Sequence, residues 1–226
     1  MSDFISEGFY QNLIYDDRWF MLIKGLGVTI EIAFFAIILG VILGTLACLG
    51  RLSSNRVIRG IATAYVSFIR GTPTMTQLSL IYFGVFASVD VSKILVAVIA
   101  FGINSGAYMA EIFRGGILAV DAGQTEAGRS LGLNQWQTMT SIVFPQAVKN
   151  ALPATANEFI VLIKEPAIVG TIAVNDLTKV ANFIQSRTFN AWFPILSALV
   201  LYFVLTTILG KLLAMFERRL RVSDQR

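Results

Sequence analysis

Residues 25–50 read GLGVTIEIAFFAIILGVILGTLACLG, twenty-six residues that carry one charge, Glu31. A helix rises about 1.5 Å per residue, so about 20 apolar residues cross the hydrocarbon layer, and this run crosses it with some tilt. The rest of the chain agrees with a membrane setting. Of its 226 residues 55% are hydrophobic and 14% charged, and its mean hydropathy is +0.69, values that do not suit a water-facing surface. Five such spans take roughly 100 to 125 residues and leave no room for a sizeable soluble catalytic domain. With no histidine and one cysteine, Cys48, the chain has no His-based acid/base chemistry, no zinc site and no intrachain disulfide to offer. A single cysteine leaves the redox compartment unread. The net charge of +4 is modest, and in a membrane chain the position of the basic residues matters more than their sum. Nucleic acid is not an expected partner.

Four further apolar runs follow: 57–88, interrupted by Arg70-Gly71-Thr72-Pro73; 94–113; the more polar 151–174; and the charge-free 191–210. Strand-like alternation is missing from them, which argues against a transmembrane barrel. The expectation is an all-α polytopic membrane protein, one transmembrane domain over 1–226 with five spans. On that count Arg51, Arg56, Arg59, Arg114, Arg129, Lys149, Lys211, Arg218, Arg219, Arg221 and Arg226 fall on one side, against Arg18, Lys24, Lys93, Lys179 and Arg187 on the other. Cytoplasmic loops are the basic ones, so the N-terminus is expected outside and the C-terminus inside. The acidic N-terminal tail (Asp3, Glu7, Asp16, Asp17) lacks a basic region or a cleavage site, and the first span is read as the insertion signal. Ile5, Phe9 and Leu13 recur every four residues, which fits a short helix on the outer membrane face or a frayed tail.

Residues 115–150 form the longest inside loop and are too polar to span. Asp121 with Gln124, and Asn134 with Gln137, have the spacing of helix N-caps with a capping partner, and Gly132 between them suits a helix end. Two short helices joined at a glycine turn are expected. Trp136, Met139 and Val143 then form an apolar stripe on the second that something must cover. The same loop contains Gly123-Gln-Thr-Glu-Ala-Gly128-Arg129-Ser130, which has the spacing of a phosphate-binding loop with Arg in place of Lys. That reading fails on three counts: no buried strand precedes it, Glu126 repels phosphate, and two helix caps explain the residues better.

Glu126-Ala127-Gly128, three residues, Gly132, nine residues, then Ile142-Val143-Phe144-Pro145 closely resembles the EAA loop of bacterial ABC importer permeases. Gly128 stands where that pattern has a third small residue, commonly Ala, and Phe144 where it has Leu. The Arg70-Gly-Thr-Pro turn, Ile103-Asn-Ser-Gly-Ala-Tyr108 followed by Ala110-Glu111, and Asn157-Glu158-Phe159 resemble the polar amino acid uptake permeases of the glutamine, histidine and arginine type. The likeness covers nearly the whole chain. It implies a five-helix subunit of the type I ABC importer fold in the bacterial plasma (inner) membrane, paired with an identical or paralogous second permease. It implies two ABC ATPase subunits, each gripping an EAA loop through Glu126, Ala127, Gly128, Gly132 and Trp136, and an extracytoplasmic amino-acid-binding protein that delivers substrate. No cofactor is expected on this chain, with ATP and Mg on the partner ATPase, and the subunit itself is expected to be non-catalytic. A rigid helical hairpin converts rotation of the ATPases into rocking of the membrane helices.

Ionisable groups within spans cost roughly 2.5 to 3.5 kcal/mol on insertion scales and normally face a cavity or a partner. Asn104, Tyr108 and Glu111 fall on one face of the third span, and Gly102, Gly106 and Ala110 on the other, which suits close helix packing. Gly40 and Gly44 suit packing in the first span, while Glu31 near its outer end is read as solvated. Glu111 near the inner end is either solvated or paired with Arg114. Pro73 breaks the second span, and Arg70, Thr72 and Gln77 beside the break are candidate substrate groups; the alternative is a structural kink with Arg70 reaching the inner surface. Glu158 and Glu165 lie seven residues apart on one stripe, about 10 Å by helical rise. Pro166 stands where the related permeases have a small polar residue. By resemblance, Glu158 lies where amino acid permeases contact substrate, and a carboxylate there suits an ammonium or guanidinium, with Asn104 and Ser105 at the other pole. A structural ion pair of Glu158 with Lys164 or another subunit is the competing reading. The function expected is therefore a permease moving a polar amino acid inward by alternating access; the alternatives are a stand-alone ion-coupled transporter and a membrane enzyme, the latter lacking any convergent acid/base or metal cluster.

Overall fold

The computed structural model describes residues 2–222, with side chains from 6 to 217. Asp3, Ile5, Arg218, Arg219, Arg221 and Arg226, used above, therefore have side chains outside the described residues. Every element is helical: α1 (Ser2–Phe9), α2 (Arg18–Leu52), α3 (Arg56–Arg70), α4 (Thr74–Leu80), α5 (Lys93–Leu118), α6 (Ala122–Ser130), α7 (Gln135–Thr138), α8 (Phe144–Lys164), α9 (Leu177–Thr188) and α10 (Trp192–Val222). Among the described residues three helical stretches are long and apolar enough to cross a membrane: Ser6–Leu52, Lys93–Leu118 and Trp192–Glu217.

The other two expected spans are discontinuous. Residues 57–88 become α3, a break at 71–73, α4 and a π-helical turn over Ile81–Val85. Pro73 is the N-cap of α4, in extended conformation, as its missing N–H and ring sterics dictate. The run 151–174 needs correction. Its helix already starts at Phe144, with Pro145 in the first turn where a missing N–H costs nothing, and Pro153 is accommodated inside it. After Lys164 the chain tightens into a 3₁₀ segment, Glu165–Ile172, which ends at Ala173 in left-handed conformation (φ 57°). The stretch between α5 and α8 accordingly runs over 119–143 rather than 115–150. An amphipathic helix, α9, also follows where no element was expected; Asp176 caps it by accepting from the Thr178 and Lys179 N–H groups.

Packing centres on α2 against α5. Small residues set the approach: Gly40 and Gly44 of α2 face Ser105 and Met109, and Gly102 and Gly106 of α5 face Leu39 and Leu43. A Cβ on Gly44 would lie 2.4 Å from Met109 Cβ, closer than two carbons can come. In a bilayer such close contact, rather than hydrophobic transfer, drives association. Around this seam Ile32, Ala36, Leu78, Ala97, Phe101, Leu162 and Val169 form one buried cluster. A second, of Leu22, Leu177, Val180, Ala181, Ile184 and Ala198, ties α9 and α10 to the start of α2. Buried Thr29 fixes the junction, donating to Gly25 O at 3.0 Å and accepting from Leu177 N at 3.3 Å.

Candidate functional site

The break between α3 and α4 leaves backbone carbonyls without helical partners, and one side chain takes them up. Gln77, buried on α4, donates through Nε2 to Ile69 O (2.7 Å), Thr72 O (3.0 Å) and Thr72 Oγ1 (2.8 Å). Its Oε1 accepts from Asn104 Nδ2 at 2.9 Å, and the same Asn104 amide reaches Thr74 Oγ1 at 3.4 Å. Gln77 thus bolts the broken span to the centre of α5. Asn104 Oδ1 is buried without a hydrogen-bond partner among the described residues, as is Glu165 Oε2, while Ser105 Oγ lies within hydrogen-bonding reach of the Glu158 carboxylate. Ser105 seats against Gly40, facing α2.

Toward the C-terminal ends of α2 and α5 one carboxylate collects three cations. Glu111 on α5 receives Arg51 of α2 through Nη1, Arg114 through Nε and Nη2 (3.0 and 2.9 Å), and Arg70 of α3 at 3.5 Å. The Arg70 guanidinium also stands 5.2 Å from the Tyr108 ring centroid, within cation–π range. Of the two readings of Glu111 the paired one holds, with two further arginines beyond Arg114. Glu158 is half-buried on α8, within electrostatic reach of Arg70 and of Glu165. Lys164, exposed at the end of α8, lines a separate groove with Thr178, Asn182 and Tyr202. Of the sequence candidates, then, Thr72, Gln77 and Asn104 form one hydrogen-bonded group, Arg70 and Tyr108 stack beside Glu111, and Ser105 and Glu158 flank them.

One feature escaped the sequence reading. Arg56, Arg59, Thr63, Ser67 and Arg70 are all exposed and share one polar face of α3, beside a buried strip of Ala62, Val66 and Ile69. Their spacing of i, i+3, i+7, i+11 and i+14 is that of one helix face and was legible, had the run not been read for hydropathy alone.

The hairpin takes the expected form in most respects. Asn134 and Gln137 make a reciprocal capping box. Asp121 caps α6 through the Gly123 N–H at 2.7 Å, and Gln124 does not close the box from its side chain. Gly132 adopts φ +88°, with Leu133 N donating to Gly128 O and Gly132 N to Arg129 O, the paired bonds of a Schellman end. Gly128 is buried against Thr138 and Ile142; a Cβ there would lie 2.7 Å from Ile142 Cδ1, the flexible end of that side chain, and 3.1 Å from Thr138 Cγ2. The apolar stripe is corrected. A π-helical turn over Met139–Val143 shifts the helical phase, so Val143 is buried while Trp136 is 75% exposed, next to Leu131 at 82%. Glu126 and Ala127 are exposed as well, on the same hairpin.

Residues 36–222 match the family described as binding-protein-dependent transport system inner membrane component. The arginine transport system permease protein ArtQ of Bacillus subtilis is 38% identical over 205 residues, covering 90% of this chain and 94% of the relative. The glutamine transport system permease protein GlnP of Escherichia coli is 33% identical over 205 residues, 89% and 94% of the two chains. Among solved structures, an amino acid ABC transporter crystallised with histidines superposes with a TM-score of 0.84 at 45% identity, covering 88% of this chain and 94% of that one.

Proposed function

The chain belongs to the family of binding-protein-dependent transport system inner membrane components, and from that premise we propose how it works as the permease subunit of an ATP-driven amino acid importer. The substrate is a polar amino acid, received on the outer face from a binding protein and released inside by alternating access. The chain crosses the bacterial inner membrane five times, through α2, α3–α4, α5, α8 and α10, with its N-terminus outside and C-terminus inside. It pairs with a second permease and two ATPase subunits, which carry the ATP and Mg. Glu126, Ala127, Gly128, Gly132 and Trp136, joined by Leu131, form the part an ATPase grips, because Trp136 and Leu131 offer apolar side chains that nothing within the described chain covers.

The observation that carries the site is the break at residues 71–73, held by Gln77 and Asn104, with Arg70 at its edge within electrostatic reach of Glu158. A broken helix at a binding site presents backbone and side-chain polar groups that suit a zwitterion. Glu158, Thr72 and Tyr108 suit the ammonium or a cationic side chain, and Arg70 suits the carboxylate. Lys164 lines another groove, with Thr178 and Tyr202, which supports the substrate role of Glu158 over a pair with Lys164.

The test is ATPase activity of the co-purified complex, stimulated by loaded binding protein across a panel of amino acids. Glu158→Gln should shift the preference away from basic amino acids, raising the apparent KM for these while leaving assembly intact. Assembly failing with preference unchanged would make Glu158 structural. Uptake by the chain in liposomes without any ATPase would instead establish the ion-coupled alternative.

A further inference from the structure

We propose that the polar face of α3 is a cation barrier, which lets the pathway open inward for an amino acid without leaking potassium or sodium. Arg56, Arg59, Thr63, Ser67 and Arg70 line up over about 21 Å of helix, and all five are exposed. Groups of this polarity along a span face water rather than lipid. At its C-terminal end Arg70 stands next to the break, where half-buried Thr74 meets the buried Gln77–Asn104 pair, so the face ends at the proposed substrate locus.

Its charge is one-sided. On α2, α3 and α5 at this end Arg51, Arg56, Arg59, Arg70 and Arg114 stand against Glu111, which Arg51 and Arg114 already occupy. Arg56 and Arg59 have no carboxylate partner among the described residues; Arg59 reaches only Ser53 O, at 3.3 Å. Deeper in lie Glu158 and Glu165, which without protection would draw inorganic cations into the open site. Fixed charge of one sign in a cleft walled by low-dielectric protein changes the local concentration of small ions by about 10- to 1,000-fold. A potassium ion coming from the inner side meets the arginines before it can feel the carboxylates. An amino acid carries its own carboxylate, which the same arginines attract, so it passes where a bare cation does not.

The inference rests on the pathway and orientation proposed above, and the test separates the two. Ser67→Cys is introduced into the complete permease–ATPase complex in liposomes; native Cys48 is buried. Membrane-impermeant thiol reagents, one anionic and one cationic, are applied from the ATPase side without nucleotide, and potassium flux is then measured. Labelling should succeed, and the anionic adduct should pass potassium about tenfold faster than the cationic one. Arg56→Gln combined with Arg59→Gln should raise the leak in the same direction while ATP-driven uptake persists. No labelling from the ATPase side would overturn the pathway reading. Successful labelling with equal flux for both adducts would overturn the barrier alone.

Discussion

Replacing Glu111 by Gln keeps its shape and removes the one negative charge among three guanidinium groups. The size of the effect follows from burial. Glu111 is 23% exposed at its side chain, and its partners Arg51, Arg114 and Arg70 are 16%, 33% and 42% exposed. Unit charges about 4 Å apart attract by about 4 kcal/mol at an effective dielectric of 20 and by about 1 in water. Desolvation and side-chain ordering take back most of this, leaving about 1.5 kcal/mol for Arg51, about 1 for Arg114 and about 0.5 for the long contact to Arg70. Glu111→Gln should therefore destabilise the permease by about 3 kcal/mol, because Arg51 also keeps a charge without its partner. Unfolding of the purified protein in detergent measures the total. Double-mutant cycles with Arg51→Gln, Arg114→Gln and Arg70→Gln apportion it, and the coupling should fall in that order. If Arg70 couples as strongly as Arg51, or if Glu111→Gln changes stability by less than about 0.5 kcal/mol, the ranking by burial is refuted.

Other outcomes can be checked on the same complex. Gly132→Ala puts a Cβ at φ +88°, at a cost of about 1 kcal/mol; ATP hydrolysis should continue while uptake per ATP falls, and unchanged coupling would show the hairpin angle to be unimportant. Gly44→Leu forces α2 from α5 at Met109 and should cost more than the usual 1 to 3 kcal/mol of overpacking, seen as loss of assembled permease; a variant that melts like the native chain refutes the seam. Gln77→Leu strands the carbonyls of Ile69 and Thr72, a loss of about 1 to 3 kcal/mol that should appear as a roughly ten- to hundredfold weaker apparent substrate affinity. Uptake kinetics at saturating binding protein would read it, and an unaltered KM would remove Gln77 from the site.

Much of this was readable before any coordinates. The glycines at 40, 44, 102 and 106, the break at Pro73 and the Asn134–Gln137 box are local rules whose partners lie within a few residues or on one helix face. What the sequence hid depends on register between helices. Nothing in the run around Glu111 says that Arg51, sixty residues away, lies against it, and three arginines on one carboxylate emerge only once α2, α3 and α5 share an end. The π-helical turn over Met139–Val143 leaves no compositional mark, so the Trp136 stripe was drawn straight through a place where the helix changes phase. The start of α8 was misplaced because Lys149, Asn150 and the prolines made residues 144–150 read as loop. Asp176, by contrast, was a plain N-cap that a search for apolar runs passed over.

The glycine seam also decides which parts of the molecule can bend. Where α2 and α5 touch backbone to backbone there is no slack for one to slide on the other, so they behave as a single spine. The two helical stretches beside it are each interrupted, one at Pro73 and the other at the 3₁₀ segment after Lys164, which are the places where they can bend. Under the coupling proposed above, a push at the hairpin would enter through α8, the very helix it runs into.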